Sequence, residues 1–181
     1  MKKEFNITAY SENHIGLLNR ITIIFTRRKV NIESLTVSES SIKGVSKFTI
    51  VVEASEEIVK KIVGQIEKQV EVLKAYYHSN EEIIYQEVAL YKVSTEALTA
   101  SNQIEKLVRK HNARIMEITK EYTVIEKTGH SEETQEFFNE LNKFNVLQFV
   151  RSGKVAITRS PIEHLSQFLK ERDEMLQVVD A

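Results

Sequence analysis

Glu12-Asn13-His14-Ile15-Gly16-Leu17-Leu18-Asn19-Arg20 marks a change of period in the chain, and Asn31-Ile32-Glu33-Ser34-Leu35-Thr36-Val37 follows ten residues on. Before it, Phe5, Ile7 and Ala9 alternate with polar neighbours, the period of a strand with one buried face. After it, Leu17, Leu18, Ile21, Ile24 and Phe25 fall at three- and four-residue spacings, the stripe of an amphipathic helix. A turn carrying Gly16 therefore joins a strand to a helix. Such a turn leaves the first amide N–H groups of the helix unpaired, with the positive end of the helix dipole behind them. That arrangement receives a carboxylate or a phosphate. Two readings of Asn13 and Gly16 stay open here. They either cap and turn the chain, or they form the corner against which a small anion sits.

Working outward, the helix ends near Arg27-Arg28-Lys29, cations that suit the negative end of its dipole or, alternatively, a docking patch for an acidic partner. Val30–Val37 and Val45–Val52 are rich in β-formers and are separated by the polar run Ser38 to Gly44, which predicts a hairpin. Ser55-Glu56-Glu57 caps a second helix with its apolar face on Ile58, Ile62, Val63 and Ile66, and Val70, Val72 and Ala75 begin another strand. The order β-α-β-β-α-β is the ferredoxin-like unit, a four-stranded antiparallel sheet with two helices on one face.

The architecture repeats. Ile84–Val93 reads as a strand, Ile104, Leu107 and Val108 as a helix, and Ile115–Thr119 with Tyr122–Ile125 as a strand pair. Ser131-Glu132-Glu133 caps a helix carrying Phe137, Phe138 and Leu141, and Val146–Val150 and Val155–Thr158 flank the turn Arg151-Ser152-Gly153-Lys154. Pro161 stands at a first helical position before the stripe Ile162, Leu165, Phe168, Leu169 and Leu176. The expected class is α+β with two tandem ferredoxin-like domains, over 1–78 and 82–181, the polar run His78 to Glu82 between them.

Composition excludes several functions. The 181 residues are 41% hydrophobic and 28% charged with net charge -1, and no window approaches the roughly 18 apolar residues of a membrane span. Residues 1–80 hold 12 Lys/Arg against 9 Asp/Glu and the remainder 13 against 17, +3 and -4, too little to point to nucleic acid. An RNA-binding use of the same fold would need stacking aromatics on a basic sheet face, whereas Phe48 and Tyr76-Tyr77 have only the single lysines Lys47 and Lys74 near them in sequence. Cysteine is absent, and Met1-Lys2-Lys3-Glu4-Phe5 runs straight into the first strand, so neither disulfides nor a signal peptide is expected and cytoplasmic residence is. The five histidines are scattered, and neither a Gly-rich phosphate loop nor a GxSxG elbow occurs, so no active site or metal site is expected.

The quoted segments closely resemble the ACT domain of the acetolactate synthase (acetohydroxyacid synthase) small regulatory subunit, where N-x-x-G-x-L-x-R precedes a helix and N-I-E-S-L-T-V opens the next strand. Val150-Arg151-Ser152-Gly153-Lys154-Val155 looks like the A-R-S-G segment of that family, so the similarity spans about residues 4–159. Ile15 stands where ACT turns often carry proline, and Lys29-Val30 where this family has Gly-Tyr. The resemblance implies a non-catalytic subunit that pairs through its ACT domain into a homodimer, binds and activates the large catalytic subunit, and carries feedback inhibition by a branched-chain amino acid, valine foremost. A free-standing amino-acid sensor without a catalytic partner is the alternative. The effector residues so implied are Asn13, Ile15, Gly16, Leu17, Leu18 and Asn31. Thiamine diphosphate, magnesium and FAD are expected on the catalytic partner and no cofactor on this chain; neither nucleic acid nor a membrane is expected as a partner.

Overall fold

A computed structural model describes residues 2–162 and 165–170 of the chain. They divide into two compact units, one running through Ile84 and taken up again from Ala156, the other spanning Tyr85–Val155.

The first unit contains β1 (Lys3–Glu12), α1 (Leu17–Arg27), β2 (Ser34–Glu39), β3 (Val45–Ala54), α2 (Glu56–Ile66) and β4 (Val72–Ser79). The strand order is β2-β3-β1-β4, every neighbour antiparallel. This is the ferredoxin-like order expected from the periodicity. Phe5, Ile7 and Ala9 of β1 meet Leu17, Ile21 and Phe25 of α1 and Val59, Ile62 and Ile66 of α2, all buried in one cluster. Burying that stripe is what holds a helix of 11 residues, which would be marginal alone.

Two boundaries differ from the sequence reading. β2 begins at Ser34 rather than Val30, because α1 ends at Arg27 with Arg28 as its cap, and Lys29 takes φ 54°, a left-handed residue that turns the chain out of the helix before it rejoins the sheet. β1 extends to Glu12, and its run Phe5 to Ser11 is buried without a break, so its outward positions escape a simple alternation. Gly44, at φ 80°, closes the β2–β3 hairpin.

The second unit repeats the order. β5 (Ile83–Ser94) leads to α3 (Thr95–Ala100), α4 (Gln103–Lys110), β6 (Arg114–Ile118), β7 (Tyr122–Gly129), α5 (Ser131–Leu141) and β8 (Gln148–Arg151); β9 (Val155–Thr158) follows where the chain returns to the first unit. The sheet order β6-β7-β5-β8 is the same arrangement. Its core packs Tyr91, Phe137 and Leu141 with Ile104 and Ile125. Tyr91 donates its hydroxyl to the Thr134 carbonyl at 2.7 Å, and burial pushes its ionisation well above the ordinary phenol range. The helix at 131 is capped by His130 rather than Ser131: the Glu133 carboxylate accepts the His130 N–H at 2.7 Å. α3 was not foreseen, since Thr95-Glu96-Ala97 carries no apolar period; Ser94 Oγ accepting the Ala97 N–H starts it.

The tail expected with the second domain behaves differently where it is described. Residues 165–170 are helical, and Leu165 is buried with Tyr10 and Val45, Tyr76 and Leu169 packing against them in the first unit. Leu176 lies outside the described residues.

Candidate functional site

The corner between β1 and α1 is built by three backbone ties. Glu12 N–H reaches the Glu71 carbonyl at 2.9 Å, Asn13 N–H the Gly44 carbonyl at 3.0 Å, and Arg20 N–H the Gly16 carbonyl at 3.2 Å. Gly16 is the residue that starts α1, at φ 85° and ψ -7°, with no side chain capping it. A residue with a Cβ is strained at that φ, yet a Cβ built there would meet nothing within 4 Å. The glycine therefore serves the turn and leaves the space above it open.

Asn13 does not cap the helix. Its side chain is exposed and makes no hydrogen bond among the described residues, so of the simpler reading only the part given to Gly16, the turn itself, is seen. Leu17 N–H returns to the His14 carbonyl at a long 3.4 Å, while the amides of Gly16, Leu18 and Asn19 have no acceptor among the described residues. Beneath them lies an open cavity of about 180 Å³. Asn13, Gly16, Leu17 and Leu18 line it together, with Glu12, His14, Val37, Phe48 and the two serines Ser11 and Ser46. Its lining joins the apolar side chains Leu17, Leu18, Val37 and Phe48 to a polar side formed by Ser11, Glu12, Asn13, His14 and Ser46, a mixed layout that suits a small molecule with one apolar and one polar end.

The remaining two expected residues do not line this cavity. Ile15 is 97% exposed at the tip of the turn. Asn31, also exposed, donates from Nδ2 to Glu33 Oε1 at 3.0 Å. Sequence reasoning missed two groups at the corner. Ser11 continues the inward series Phe5, Ile7, Ala9 and is fully buried, its hydroxyl without a partner among the described residues; a polar residue in an apolar period was the signal. Glu71 accepts from Arg20 Nη2 at 2.6 Å, with His14 Nδ1 at 3.9 Å. The Arg20 bond holds its carboxyl below the usual carboxylate range, assisted by a backbone hydrogen bond at Glu71 itself. Nothing in the spacing of Glu71 predicted that pairing.

In the second unit the Arg151-Ser152-Gly153 turn is braced from three sides. Arg151 Nε lies 3.3 Å from the buried Glu87 carboxylate and its Nη1 donates to Ser131 Oγ at 3.0 Å, while Ser152 Oγ accepts the Val88 N–H at 2.9 Å. Among the described residues no His, Asp or Glu group is arranged to hold a metal ion, and no helix is long and apolar enough to cross a membrane. Phe48 is buried, so it offers no stacking platform for a nucleic-acid base.

Comparison with known proteins agrees with this geometry in both units. Residues 3–74 match the model for the small-subunit-like ACT domain of acetohydroxyacid synthase, and residues 86–160 match that for the small subunit of acetolactate synthase. The acetolactate synthase small subunit of Bacillus subtilis is 32% identical over 88% of this chain and 91% of its own length. The chain belongs to the acetolactate synthase small-subunit family. The Mycobacterium leprae small subunit is 35% identical over 86% of the chain and 91% of its own length. Among solved structures, the Thermotoga maritima small subunit superposes with a TM-score of 0.79 at 30% identity, covering 88% of this chain and 99% of that one. As a small subunit, the chain has its ACT corner inside the first matched region and its Arg151 turn inside the second.

Proposed function

We propose that this small subunit is the non-catalytic regulator of acetolactate synthase, activating the thiamine-diphosphate-dependent large subunit and carrying feedback inhibition by a branched-chain amino acid, valine foremost. The observation that carries the reading is the open corner. The amides of Gly16 and Leu18 and the side chain of Asn13 have no partner among the described residues, and Asn13, Gly16 and Leu18 line a cavity that also has an apolar side. The valine α-carboxylate meets the Gly16–Leu18 amides, Asn13 takes the polar head, and Leu17, Leu18, Val37 and Phe48 surround the isopropyl group. Helix amides hold a carboxylate without a full counter-charge.

The small subunit acts as a homodimer paired through the first unit, with Asn31 of the partner subunit closing the cavity. Ile15, almost wholly exposed, supports that reading, since a bare apolar side chain at the tip of the corner gains from being covered. A ligand held between two chains favours one arrangement of them, and a coupling of about 1–3 kcal/mol gives a roughly 5–150-fold effect on the partner enzyme. Thiamine diphosphate, magnesium and FAD belong to the large subunit, and the assembly works in the cytoplasm. The braced Arg151 turn is the surface the second unit offers to the large subunit.

The test is reconstitution. Mixing the small subunit with acetolactate synthase large subunit should raise acetolactate formation and make it sensitive to valine. Binding of valine without any co-purifying large subunit or any rise in its activity would favour the free-standing sensor instead.

A further inference from the structure

We propose that Glu71 is a positioning residue of the effector corner, holding the strand that enters it and the helix that leaves it through a single side chain and its own carbonyl. The inference rests on the corner being the effector site.

Glu71 stands in the turn between α2 and β4, more than fifty residues from the corner in sequence. Its carbonyl accepts the Glu12 N–H at 2.9 Å, at the last residue of β1. Its carboxylate accepts from Arg20 Nη2 at 2.6 Å, one turn into α1. Asn13 to Gly16 lie between those two attachment points. An untied loop of this kind samples many conformations, and ordering it on binding would subtract from affinity. The Glu71 side chain is only 15% exposed, so the ion pair is shielded from solvent more than a pair on an open helix face. Arg20 is thereby committed to Glu71 and is not itself the counter-ion of the ligand. The corner keeps its amide geometry before any ligand arrives.

Position and charge make opposite predictions for Glu71. If Glu71 only opposed the ligand carboxylate by its charge, Glu71→Gln would strengthen binding and Arg20→Gln would weaken it. If it positions the corner, both substitutions weaken binding by a similar factor, and the double variant is no weaker than either single one, because both remove the same tie.

The experiment is a cycle on the full-length chain with Glu71→Gln, Arg20→Gln and the pair combined. It reads valine affinity by calorimetry and hydrogen exchange of the hydrogen-bonded corner amides of Glu12, Asn13 and Arg20. The expected result is about five- to tenfold weaker binding in each single variant, no further loss in the double, and faster exchange of the corner amides in all three. Tighter binding by Glu71→Gln, independent and multiplying effects, or unchanged exchange each overturns the proposal. Wild-type protein that releases no heat with valine, leucine or isoleucine sinks the effector reading, and the exchange measurement still decides the role of Glu71.

Discussion

Ile15 and Leu17 stand two residues apart on either side of Gly16, one 97% exposed and the other 1%. The left-handed glycine between them sends one apolar side chain into solvent and the next into the core of the first unit. That opposition separates what builds the corner from what the corner offers. Ile15→Asp should leave thermal unfolding nearly unchanged, since surface substitutions commonly stay within about 0.5 kcal/mol. It should shift sedimentation toward the single chain. A variant that sediments as wild type would remove Ile15 from the protomer contact.

Leu17 and Leu18 give the complementary contrast. Leu17→Ala opens a hole beneath α1 and should cost about 2–5 kcal/mol in chemical denaturation. Leu18, 45% exposed and on the cavity wall, should cost under about 1 kcal/mol when changed to Ala, yet weaken valine binding. Equal stability losses at the two positions would contradict the burial on which the site is drawn.

Glu71 makes the acid behaviour specific. Its carboxyl titrates below 4.5 in the folded chain because of Arg20, so the unfolded chain takes up the proton first as the pH falls. The stability it contributes is therefore present above 4.5 and is lost as the pH drops through the lowered value. Glu71→Gln should flatten that part of the stability profile below 4.5, while at higher pH the variant stays uniformly less stable than wild type. Parallel acid limbs in urea titrations of the two proteins would count against the pairing.

In the second unit, a Cβ on Gly129 would stand 2.7 Å from Glu133 Oε2, the oxygen that accepts the His130 N–H at the start of α5. Gly129→Ala displaces the flexible end of the Glu133 side chain and should lower stability by about 1 kcal/mol, the loss of the cap bond. Hydrogen exchange of the paired β5 and β7 amides would locate the loss in this unit. No change in midpoint would show that the cap is dispensable.

Both ferredoxin-like units were legible from period alone, because strands with one buried face and helices with one apolar stripe write different spacings into the chain. Gly16 was legible too, as the residue at which one period gave way to the other. What escaped had no periodic signature. α3 rests on a Ser94 hydroxyl and not on a stripe, and the start of β2 was moved by the left-handed Lys29. At the corner, Asn13 and Gly16 were readable by type and place, but the tie from Glu71 to Arg20 joins residues distant in sequence and only the folded chain brings it into view. Ser11 was hidden differently, as a polar residue inside an apolar period, and its partnerless buried hydroxyl predicts that Ser11→Ala keeps or raises the melting temperature.

The central claim is that the backbone corner at Gly16, without a reactive side chain, recognises a branched-chain amino acid. Isothermal titration of L-valine into the full-length small subunit and into its Gly16→Asp variant tests it most directly. The account predicts saturable heat with wild type and none with the variant, whose circular dichroism stays unchanged, because a carboxylate then occupies the ligand's place against the amides. Equal binding by both proteins, or no heat from wild type with valine, leucine or isoleucine, would contradict it.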